Sequence, residues 1–66
     1  MIIFEPLFET MKKKNVTEYR LIHKFGISSS ILHRIKNGDG MSTKTIDFLC
    51  DILDCEVSDV IKHVKE

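Results

Sequence analysis

The chain has 66 residues, 42% of them hydrophobic, and its ten basic and ten acidic side chains cancel. One proline and three glycines exclude a collagenous or low-complexity chain, and this length predicts one domain, residues 1–66, that buries only about 60% of its unfolded surface. The longest apolar run, "MIIF", falls far short of the roughly 20 residues that cross a bilayer, and no small-residue cleavage site follows it, so a soluble cytoplasmic protein is expected.

"MIIF" itself reads in two ways. It is either a short extended arm pairing as a β edge with a second chain, or core padding ahead of the first helix. From there on the chain reads helical. In "EPLFETMKKKN", Pro6 suits a first helical turn because its missing N–H costs nothing there. Leu7, Phe8 and Met11 recur at helical spacing. Lys12, Lys13 and Lys14 crowd the last turn, where cations suit the negative end of the helix dipole.

"VTEYRLIHKFG" predicts a second helix capped by Thr17, with Glu18 just inside, an apolar stripe of Leu21, Ile22 and Phe25, and Gly26 as the stop. "ISSSILHRIKNG" predicts a third, capped by Ser28, with Leu32 and Ile35 inward and Asn37-Gly38 ending it. A fourth starts at Ser42 or Thr43 and turns Ile46, Leu49, Cys50 and Leu53 inward. "VSDVIKHVKE" predicts a fifth, capped by Ser58, with Val60, Ile61 and Val64 inward. The expectation is an all-α, five-helix domain with a possible extended N-terminal arm.

Neutrality hides a polarity. Residues 1–40 hold seven basic and four acidic side chains, and residues 41–66 hold three and six. The front half therefore carries a surplus of three positive charges and the back half three negative ones, so the overall balance says little about any one face.

Two short capped helices around Gly26 allow a tight turn and a steep crossing, the geometry of a helix-turn-helix unit. With Leu32 and Ile35 buried, Ser29, Ser30, His33, Arg34 and Asn37 lie on the outer side. Ser29 and Ser30 stand in the first turn, where a recognition helix meets base edges. Arg34 follows four residues after Ser30, and arginine grips guanine O6 and N7 in a bidentate fork. Asn37 is placed for a phosphate.

"TEYRLIHKFGISSSILHRIKNG" resembles the helix-turn-helix core of the Cro and phage-repressor-like (XRE) regulators, whose pattern runs "xxLAxxxGIS" and then "xxxIxxxxxG". Their later "LxVSxxxL" element is matched by "ILDCEVSDVI". The resemblance covers residues 7 to about 64 without gaps and is similar in size to the short stand-alone members. It implies sequence-specific binding of double-stranded DNA by the third helix, in a regulator, most often a repressor, that works as a homodimer. By the same resemblance Ser29, Ser30 and Arg34 face bases with His33 at the edge, and Thr17, Lys36, Asn37 and Lys44 contact phosphates.

Two positions depart from the pattern. Glu18 stands where many members carry a phosphate-gripping glutamine, and its charge repels phosphate. Ile22 replaces a small alanine beside the turn.

Other chemistries find little support. Cys50 and Cys55 read as reduced packing residues, and CxxxxC without a second pair is not a zinc signature. No nucleophile stands beside a base, and there is no Gly-rich phosphate loop. Neither a metal, a cofactor, a small-molecule ligand, a membrane nor an enzymatic reaction is expected. The rival reading is a protein-interaction module of the same fold, antitoxin-like or partner-binding, with DNA binding lost.

Overall fold

A computed structural model describes all 66 residues. The order is β1 (Ile2–Ile3), α1 (Glu5–Lys13), α2 (Glu18–His23), α3 (Ser29–Lys36), α4 (Thr43–Leu53), a 3₁₀ turn (Val57–Asp59) and β2 (Lys62–His63). The four helices and their caps follow from short-range chemistry. Thr17 Oγ1 accepts the Arg20 N–H at 3.1 Å, Ser28 Oγ accepts the Ser30 N–H at 3.2 Å, and Ser42 Oγ accepts the Thr45 N–H at 3.2 Å. Each satisfies one of the donors that a helix start leaves open.

The helix ends share one device, a residue in the left-handed region followed by a chain reversal. After α1 it is Asn15 (φ 56°), and the Val16 N–H then reaches back to the Met11 carbonyl at 2.9 Å. After α3 it is Gly38 (φ 78°), with the Asp39 N–H on the Arg34 carbonyl at 2.9 Å. After α4 it is Asp54 (φ 50°), with the Cys55 N–H on the Cys50 carbonyl at 3.1 Å. Glycine, asparagine and aspartate pay the least for this conformation.

The predicted fifth helix is absent. Only three residues, Val57–Asp59, form a 3₁₀ turn, and Glu56 rather than Ser58 precedes it. The Glu56 N–H donates to Asp59 Oδ2 at 3.0 Å. The Asp59 carbonyl accepts the Thr10 hydroxyl at 2.7 Å, which ties the turn to α1. The run Val57, Val60, Ile61 and Val64 is β-branched and favours extended backbone once a strand partner is present.

That partner is the N-terminal arm. β1 pairs antiparallel with β2, Ile2 opposite His63 and Ile3 opposite Lys62. Beyond the pair, the Met1 ammonium donates to the Val64 carbonyl and the Val64 N–H to the Met1 carbonyl, both at 2.8 Å. So the arm joins its own chain's C-terminus, and Phe4 behind it enters the core.

Ten buried side chains make that core: Phe4, Leu7, Met11, Leu21, Ile27, Leu32, Ile35, Leu49, Leu53 and Val60. Every helix contributes, at about 1.5–3 kcal/mol for each large side chain removed from water. Phe8, Ile22, Phe25, Ile31, Ile46, Cys50, Ile61 and Val64 are only half-buried. Ile22 and Ile31 thus pack on the core from its edge, which is how a large side chain fits beside the turn. No helix is long and apolar enough to cross a membrane.

Candidate nucleic-acid interface

α2 ends at His23, two residues before the predicted Phe25, and the turn to α3 is closed by backbone. The Phe25 N–H donates to the Arg20 carbonyl at 3.1 Å, and the Ile27 N–H to the Leu21 carbonyl at 2.9 Å. Gly26 between them has φ 80°, where a side chain would be strained. Leu21 and Ile27 are buried on either side, so the turn is anchored as well as capped.

α3 then exposes one long side. Leu32 and Ile35 are buried, while Ser29, Ser30, His33, Arg34, Lys36 and Asn37 are all exposed. Ser28 spends its hydroxyl oxygen on the Ser30 N–H, which leaves the Ser29 and Ser30 hydroxyls unengaged at the start of the helix. Arg34 lines an open cleft with Ile31, Asp39, Met41, Ser42 and Thr45, between α3 and the start of α4. Asp39, whose N–H bonds the Arg34 carbonyl at the end of α3, puts an acidic side chain on the same cleft.

The remaining predicted contacts flank this side. Thr17 is exposed, and because its oxygen only accepts within the cap, its hydroxyl proton stays available. Asn37 caps the end of α3, and Lys44 is exposed on the first turn of α4. Lys36 is not free: its Nζ lies 3.1 Å from Glu18 Oε1, an ion pair between the last turn of α3 and the first of α2. The pair joins residues 18 positions apart, so no helical period announces it.

Other basic residues are engaged elsewhere. Arg20 Nη1 donates to the Asn15 carbonyl at 3.1 Å, and Lys14 Nζ to the Asp54 carbonyl at 3.2 Å. The lysine run 12–14 is therefore partly structural. Tyr19, 70% exposed, stacks against His23 with ring centroids 4.3 Å apart.

Residues 7–66 match the model of the Cro/C1-type helix-turn-helix DNA-binding domain. The chain belongs to this family. The fold of the Cro/C1-type domain is also similar to the crystal structure of the transcriptional regulator VanUg, with a TM-score of 0.86 over 98% of this chain and 87% of that one. Identity is 18%, so the likeness is one of fold. No curated protein sequence gives a significant match.

In the Cro/C1-type domain the exposed side of α3 offers small hydroxyls, an imidazole, a guanidinium and an amide. Groups of these kinds are able to donate and accept hydrogen bonds at base edges and phosphates. No three His, Cys, Asp or Glu side chains converge on a point where a metal ion would sit. Cys50 and Cys55 are free thiols at the end of α4.

Proposed function

We propose that this Cro/C1-type domain is a sequence-specific transcriptional regulator that places α3 in the major groove of operator DNA. Ser29, Ser30 and Arg34 read bases, with His33 at the edge of the contact. Thr17, Lys36, Asn37 and Lys44 hold phosphates on either side. The domain acts as a repressor, occupying a promoter site and excluding polymerase. It binds as a homodimer on a near-palindromic site with half-sites about 34 Å apart.

One observation carries this reading: α3 is fixed from behind by buried Leu32 and Ile35 while its polar residues all remain exposed. A structural helix in a small core has no need for six exposed polar residues on its outer side. The similar fold of VanUg, a transcriptional regulator, points the same way.

Selection of sites from a random duplex library at two salt concentrations tests the reading. An enriched palindrome is the expected result and gives symmetry and spacing together. No enrichment at low salt overturns it in favour of the interaction module.

A further inference from the structure

The Glu18–Lys36 ion pair bridges the two helices at an informative place. Glu18 directly follows Thr17, and Lys36 directly precedes Asn37. Each member of the pair is therefore next in sequence to a side chain assigned to a phosphate. Its members are half exposed, 50% for the Lys36 side chain and 45% for Glu18, so an anion from solvent can reach the ammonium. Lys36 makes no other hydrogen bond, and the contact is a single oxygen at 3.1 Å. An exposed pair of this kind holds its partner weakly.

We propose that Glu18 is a built-in stand-in for a DNA phosphate: its carboxylate occupies Lys36 in the free protein and gives it up to the duplex backbone on binding. This rests on the reading of α3 as the DNA-contacting helix. Lys36 then contributes less than a free lysine would. The phosphate it gains is matched by a carboxylate that it loses, and that carboxylate stays beside the backbone as a repelling charge. Glu18 thereby sets the overall affinity and its salt dependence without touching a base.

The test measures binding to a random-sequence duplex of about 20 base pairs across a salt series, for the wild type, Glu18→Gln, Lys36→Gln and the double variant. Each neutralised phosphate adds about 0.9 to the steepness of log affinity against log salt. Glu18→Gln is expected to bind about three- to tenfold tighter at low salt, with a slope steeper by up to about 0.9. Adding Lys36→Gln to that variant should remove the gain and return the slope towards the wild-type value. Both residues are surface residues, and thermal melts check that the variants fold; Glu18→Ala should repeat the effect of Glu18→Gln.

Unchanged affinity and slope in Glu18→Gln overturn the proposal. So does a double variant that binds like Glu18→Gln, because Lys36 then never reaches a phosphate. Either result leaves the DNA-binding reading intact as long as the wild type binds with a salt-dependent affinity. Absence of binding by every variant removes both readings together.

Discussion

The Thr10 hydroxyl donates to the Asp59 carbonyl at 2.7 Å, tying α1 to the 3₁₀ turn across 49 positions of sequence. Thr10 is the one buried polar residue, and it packs beside Leu7 and Met11 on the inner side of α1. Thr10→Val keeps the volume and removes the donor, so urea denaturation should show a loss of about 0.5–1.5 kcal/mol. Amide exchange at Val60 and Ile61 should quicken at the same time. Wild-type stability in Thr10→Val would mean that this tie adds nothing to the fold.

Arg34 stands on the exposed side of α3, four residues after Ser30, with Asp39 lining the same cleft. On the site recovered by selection, Arg34→Ala is expected to cost roughly 1–3 kcal/mol and to relax preference at one base pair. Binding titrations on the site and on its single-base variants check both. An equal loss on every sequence would place Arg34 on the backbone instead.

What the sequence reveals and what it hides divides by range. Thr17, Ser28 and Ser42 cap their helices by bonds within three residues, so their roles are legible from the chain alone. The buried positions of α3 and α4 follow from the 3.6-residue period, as Leu32, Ile35, Leu49 and Leu53 show. Asn15 and Asp54 are legible too, as left-handed stops, but they carry less signal than a glycine and pass unnoticed. The fifth helix fails because its apolar residues suit a helix and a strand alike, and only the distant arm that pairs with them decides between the two. At the site, exposure of Ser29, Ser30, His33, Arg34 and Asn37 follows from the same periodicity. The engagement of Lys36 by Glu18 depends on how two helices cross, which no local pattern encodes.

Cys55 follows the left-handed Asp54 in the turn that ends α4, where it is half-buried. Burial first, and then the neighbouring Cys50, push the Cys55 thiol above its ordinary value of 9.0. Folding therefore favours the neutral thiol. That contribution is complete below the unfolded pKa and is lost as pH rises through the folded one. Stability of the wild type should fall above about pH 9 more steeply than that of Cys55→Ala, as read from urea midpoints across the alkaline range. Parallel curves would show that the thiol ionises equally easily in both states.

The chain termini meet in β1 and β2, and the pairing is reciprocal: Met1 and Val64 exchange two bonds at 2.8 Å beyond the Ile2–His63 and Ile3–Lys62 pairs. Neither strand has another partner in the fold, because the sheet contains only these two. Removing residues 1–3 should therefore cost about 1–3 kcal/mol, from lost strand bonds and the half-buried Ile3. Removing residues 62–66 should cost a similar amount. Because the two losses describe one shared structure, deleting both segments should cost little more than deleting the worse one. Urea denaturation of the three variants decides this, and additive losses would mean that the ends act independently. The same pairing engages the arm within its own chain, so deletion of residues 1–3 should leave the sedimentation mass unchanged. A drop in mass would restore the arm as a link to a second copy.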